Sequence, residues 1–115
     1  MNIEEIREYC LKKKAVKESF PFDETTLVFK VKGKMFALTS LEKDPSINLK
    51  CDPEKAIELR ERFPAVAPGY HMNKRFWNTI QIDGSIADKL IKEWIDDSYL
   101  LVIEKLPKKD RAELL

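Results

Sequence analysis

The sequence predicts an α+β domain: an antiparallel sheet packed on one side by helices. Three observations predict it. Apolar residues recur at helical spacing near both ends of the chain, and they alternate with polar ones at a period of two in between. The elements also fall in the order helix, three strands, helix, strand, helices, which does not give the regular strand–helix alternation of a parallel sheet.

Taken in order, Ile3 to Lys13 places Ile3, Ile6, Cys10 and Leu11 on one stripe with charges elsewhere. Lys12, Lys13 and Lys14 end this helix, well placed against its dipole. Phe20-Pro21-Phe22 reads as a loop with two buried anchors. Thr26 to Lys32 and Lys34 to Leu41 then read as a hairpin turning at Lys32-Gly33. With that turn, Phe29 faces Phe36 and Leu27 faces Leu38, while Val28, Lys30 and Met35 point the other way. Ile47, Leu49 and Cys51 alternate with Asn48 and Lys50 in a third strand.

Asp52 caps a second helix whose first residue is Pro53; it runs to about Phe63 and buries Ala56, Leu59 and Phe63. After a turn bracketed by Pro64 and Pro68, a fourth strand runs from about Phe76 to Ile82 and breaks at Asp83-Gly84. Ser85, with Asp88 three residues on, opens a helix carrying Leu90, Ile91, Trp94 and Ile95. Asp96-Asp97-Ser98 recaps the chain into one more segment, Tyr99 to Lys105, stopped by Pro107.

The 115 residues are read as one domain, 1–115. Charged residues make up 36 %, but 21 basic against 20 acidic side chains leave a net charge of only +1. An anionic partner must therefore be met by a local patch, not by a global field. Cys10 and Cys51 match neither a CxxC nor a zinc spacing, so reduced thiols in a cytoplasmic protein are expected. No apolar stretch approaches the roughly 20 residues of a membrane span, so no membrane partner is expected. The sequence offers no glycine-rich phosphate loop and no nucleophile elbow. It places no third group beside a Cys51–His71 pair. A non-enzymatic protein without cofactor or metal follows, with a monomer as the simplest state.

Strand alternation sorts the sheet into two faces. One collects Leu27, Phe29, Phe36, Leu38, Ile47, Leu49, Ile80 and Ile82 as core. The other collects Lys30, Lys32, Asn48, Lys50, Trp77, Thr79 and Gln81. Thr26 to Leu41 and Arg62 to Ile82 each hold three cations and no acid. Lysines on a sheet also blunt its edges, so a plain solvated face is the simplest alternative. Pro68 to Asp83, PGYHMNKRFWNTIQID, adds the sole histidine and one of two tryptophans to the second window. Trp77 is read either as a stacking platform or as a residue covered by a helix, and His71 as structural or as a ligand contact.

Four blocks carry a family resemblance: TLVFKVKGKMFAL, INLKCDPEKAIELRE, PGYHMNKRFWNTIQID and DSYLLVIEKLPKKDR. In order and spacing, from Ile3 to Arg111, they resemble the MmcQ/YjbR family of small bacterial proteins. The matching positions are Phe29, Lys30, Gly33, Lys34 and Phe36, then Lys50, Trp77, Ser98, Tyr99, Leu106 and Pro107. The resemblance implies a frataxin-like sandwich and, through likeness to a double-wing module, DNA binding; it supplies no catalytic residue. The expected nucleic-acid contacts are Lys30, Lys32, Lys34, Lys50, Lys74 and Arg75 for phosphates, with Trp77 and His71 against sugar or base. The alternatives are a protein-interaction face or a small anionic-ligand pocket, both using the Tyr70–Trp77 segment.

Overall fold

The computed structural model describes residues 1–42 and 44–114. Its elements run α1 (Ile3–Leu11), β1 (Val16–Ser19), β2 (Thr26–Val31), β3 (Lys34–Ser40), β4 (Ser46–Lys50), α2 (Pro53–Arg62), β5 (Val66–Pro68), β6 (Trp77–Gln81), α3 (Asp88–Glu104) and α4 (Lys108–Leu114). The strands form one antiparallel sheet in the order β1-β2-β3-β4-β6-β5. The helices cover one face of it, so the α+β class and the one-sided helical layer are as the sequence predicts. Among the described residues, no helix is long and apolar enough to cross a membrane.

Local chemistry sets the helix starts. Asn2 Oδ1 accepts from the Glu5 amide at 2.8 Å, and Glu5 Oε1 accepts from the Asn2 amide at 3.1 Å, a reciprocal box that satisfies two donors with no helical partner. Asp52 caps α2 and Pro53 occupies its first turn, as expected. The main core lies between the helices and the sheet. All four helices enter it, through Ile6 and Cys10, Leu59, Trp94 with Ile95, and Leu114, against Phe29, Phe36, Ile47 and Ile80 of the strands.

Two edge strands were not expected from the sequence. β1 holds four residues and β5 three, the latter ended by Pro68, which an edge position tolerates because its ring nitrogen has no proton to donate. The C-terminal region also departs from expectation. Instead of breaking at Asp96–Ser98, α3 is continuous for 17 residues, starts after Ala87, and is followed beyond Pro107 by α4. Ser98 is fully buried, and its side chain bonds to the sheet, not to its own helix. Phe20 and Phe22, expected as buried anchors, are 48 % and 64 % exposed.

The hairpin turns at Lys32 and Gly33, both with positive φ (50° and 80°), as two-residue hairpin turns of the favoured twist require. Its register is not the simple one. Phe29 pairs with Ala37 but Lys30 pairs with Met35, so Phe36 is an extra residue, a bulge in β3. Phe36 and Ala37 both enter the core, and the alternation beyond them is reversed. Leu38 therefore sits opposite Val28 on the helix-free face, not in the main core where a straight hairpin would put it.

Candidate functional site

The helix-free face of the sheet divides into three bands, and the strand registers say which residues share each. Thr26, Ser40, Ser46 and Gln81 lie in one row across β2, β3, β4 and β6; Val28, Leu38, Asn48 and Thr79 form the next. Beyond the bulge, Lys17, Lys30 and Met35 are paired across β1, β2 and β3, and Lys50 is paired with Trp77 across β4 and β6.

The middle of this face is apolar. Val28, Leu38 and Trp77 form a second, smaller core, with Met35, Met72 and Phe76 packed on it. Trp77 is only 8 % exposed. Of its two readings, stacking platform or covered residue, the geometry fits the second, with Val28, Leu38, Met72 and Phe76 as the cover in place of a helix. Phe76, expected in phase with Ile80, turns instead to this cluster.

To one side of this ridge lies a trough, an open concavity of ≈ 840 Å³. Its floor is amide and hydroxyl: Asn48, Thr79, Ser40, Ser46 and Gln81. One wall carries Phe22 and Asp23, the other Tyr70, His71 and Met72. The second wall is tied down. The Tyr70 amide donates to Thr79 Oγ1 at 2.9 Å, Thr79 Oγ1 donates to Asn48 Oδ1, and Asn48 Nδ2 donates to the Tyr70 carbonyl at 3.4 Å. Gly69 lets the wall approach, since a Cβ there would lie 2.7 Å from Trp77 Cβ and 3.0 Å from the Trp77 carbonyl oxygen. His71 has a left-handed backbone (φ 59°), and its ring sits 4.0 Å, centroid to centroid, from that of Tyr70. Left-handed backbone at a non-glycine residue costs energy and clusters at functional sites. Tyr70 is 68 % exposed. On the opposite wall, amide bonds from Thr25 and Thr26 hold the Asp23 carboxyl below its usual pKa, so the rim stays anionic.

On the other side of the ridge lie cations. Lys17 and Lys30 are directly opposed across β1 and β2. The Lys50 ammonium has its pKa lowered, first by partial burial and then by nearby Lys105. Arg75 and Lys105 both sit over the Phe76 ring, at 5.4 and 5.7 Å from its centroid. Among the described residues, no carboxylate comes within salt-bridge distance of Lys17, Lys30, Lys50, Arg75 or Lys105. Like charges placed together without a counter-charge weaken a fold.

Of the residues expected to contact phosphates, Lys30, Lys50 and Arg75 belong to this band. Three others do not. Lys32 is paired with Glu113 at 2.6 Å, so α4 neutralises it. The Lys74 ammonium donates to the Gly69 carbonyl at 3.0 Å and closes the 69–74 loop. Lys34 pairs with core residue Val31 and leaves the sheet on its helical side. His71 belongs to the trough wall. The sequence reading missed Lys17, Lys105 and Phe22 as site residues because it saw no β1, assigned Lys105 to a helix end, and buried Phe22.

It also missed Arg60, whose Nε donates to Asn78 Oδ1 at 2.7 Å and whose terminal nitrogen reaches the Lys74 and Trp77 carbonyls. Asn78, 1 % exposed, donates in turn to the Ala56 carbonyl. This network joins α2 to the turn that carries Arg75. Cys10 and Cys51 are free thiols, and among the described residues no cluster of three metal-ligating side chains forms.

The YjbR family model matches residues 11–101. The chain is 34 % identical to the uncharacterized protein YjbR of Escherichia coli K12 over 116 residues, spanning all of this chain and 98 % of that one. It is 40 % identical to the uncharacterized protein YbdF of Escherichia coli O157:H7 over 96 residues, covering 83 % and 79 % respectively. The crystal structure of Deinococcus radiodurans protein DR2400, with a DUF419 domain, superposes with a TM-score of 0.93 at 42 % identity, over 98 % of this chain and 87 % of that one. A crystal structure from Pseudomonas syringae gives 0.78 at 30 % identity, over 88 % and 98 %.

Proposed function

The chain belongs to the YjbR family, and from that premise we propose that it is a non-enzymatic, cytoplasmic nucleic-acid-binding protein that holds phosphates on the helix-free face of its sheet. The observation that carries this reading is the unneutralised band of Lys17, Lys30, Lys50, Arg75 and Lys105. Two pairs within it, Lys17 with Lys30 and Lys50 with Lys105, set like charges together. A fold that retains such repulsion on one face, in a chain of net charge +1, is arranged for an anion that relieves it. Phosphates spaced along a polymer suit a band that runs across several strands better than one compact anion does. The frataxin-like and double-wing likenesses belong to this reading, as does a monomeric state.

The test is fluorescence anisotropy of labelled single-stranded and duplex DNA, titrated with the protein at 50 and 200 mM salt. About five phosphate contacts lose on the order of a hundredfold in affinity over that range. The Lys30→Glu/Lys50→Glu variant abolishes binding while its circular dichroism stays native. Binding that survives these two changes, or that ignores salt, puts the partner elsewhere and returns the Tyr70–Trp77 segment to the protein-interaction reading.

A further inference from the structure

We propose that the trough beside the lysine band takes unpaired nucleobases, so that the chain binds single strands in preference to duplex. The inference rests on the band as the phosphate site and names what the other half of the face does. The trough is poorly suited to phosphate: Asp23 and Glu42 line it, and among the described residues no lysine or arginine does. Its features suit a neutral, planar group with a polar edge. Tyr70, with His71 against its ring, and Phe22 on the opposite wall present exposed aromatic surface, on which bases stack irrespective of sequence. Gln81, Ser40 and Ser46 on the floor offer amide and hydroxyl groups to a base edge, while Asn48 and Thr79 hold the Tyr70 wall in place.

Shape favours the unpaired form. A duplex is read by a convex element inserted into its groove, whereas a concave trough receives a base that has left the stack. The trough and the band also connect at the spacing one nucleotide requires. Asn48 and Lys50 are successive same-face residues of β4, about 7 Å apart along the strand. A base over Asn48 thus leaves its phosphate within reach of the Lys50 ammonium.

The test uses three probes with the whole chain: labelled oligothymidine, an abasic oligomer of the same length and charge, and the matching duplex. Oligothymidine is expected to bind more tightly than the abasic strand by between about fivefold and a hundredfold, and more tightly than the duplex. Tyr70→Ala, and independently Phe22→Ala, erase that advantage and leave abasic binding unchanged. Both side chains are largely exposed, so their removal leaves the core intact. Equal, lysine-dependent affinity for oligothymidine and the abasic strand overturns the trough as a base site while the phosphate band stands. Binding of none of the probes overturns both. Thymidine monophosphate binding the trough as tightly as the strand does overturns the strand assignment in favour of a free nucleotide.

Discussion

The hydroxyl of Ser98, in the middle of α3, donates to the carbonyl oxygen of Phe36 at 2.6 Å and accepts from the Lys50 amide at 2.9 Å. Phe36 is the bulged residue, so Ser98 bridges β3 and β4 just where their regular pairing ends. Ser98→Ala removes the partner of a buried carbonyl and a part-buried amide at once, each costing up to roughly 1–3 kcal/mol when orphaned. We expect urea unfolding of that variant to show a loss of about 2–4 kcal/mol with an unchanged m-value. Near-wild-type stability would mean that water replaces the hydroxyl.

Gly69→Ala drives a methyl group against Trp77 Cβ, the Trp77 carbonyl and Met72 Cβ, the last at 3.1 Å. Two of these are held by the second core and the sheet, so the 69–72 loop has to move. Overpacking of this kind costs about 1–3 kcal/mol. The displaced Tyr70 wall should also remove the preference for oligothymidine over the abasic strand. A thermal melt and an anisotropy titration on the same sample check both.

Lys30→Gln relieves the charge opposed to Lys17 and is expected to stabilise the fold by about 0.2–1 kcal/mol. It should also weaken DNA binding and flatten the salt dependence by about one unit of slope. Lys17→Gln gives the same relief, and the double variant gains less than the sum because one repulsion underlies both. A binding face that weakens the free protein shows this opposition of signs; a plain solvated face shows only the first effect.

Burial pushes the Cys10 thiol up from its usual 9.0 to about 12. Burial and the Asp96 carboxylate raise the Tyr9 phenol from 10.0 to about 12. Both are acids that hold their protons longer in the folded chain than in the unfolded one. Their contribution is intact below pH 9 and declines above it, by at most about 1.4 kcal/mol per pH unit for each group. Denaturation curves between pH 8 and pH 11 should show this fall. Cys10→Ala should make its onset shallower while lowering stability at neutral pH through the lost packing.

Where one period governed a segment, the sequence was enough: α1, α2, the hairpin turn and the β4–α2 step all lie where alternation and caps put them. The bulge was invisible because β3 is apolar on both faces, so Met35 through Leu38 fit either register. Ser98 read as a cap because serine prefers to bond to local backbone, and only the folded sheet supplies it better partners. At the site, the second-face placement of Lys30, Asn48, Lys50, Trp77 and Thr79 could be read from alternation. The neutralisation of Lys32 could not, since Glu113 lies 81 residues away. Nor could the burial of Trp77, which depends on Val28 and Leu38 arriving from a different hairpin.

The brevity of the outer strands has a consequence for how this molecule meets others. One margin of the sheet is a three-residue strand closed by Pro68, the other a four-residue strand of alternating character, VKES. Neither offers the length of free backbone that an incoming chain needs to extend a sheet. Growth by strand addition, whether into a filament or onto a peptide, is disfavoured at both sides, which leaves side-chain surfaces as the ground for contact.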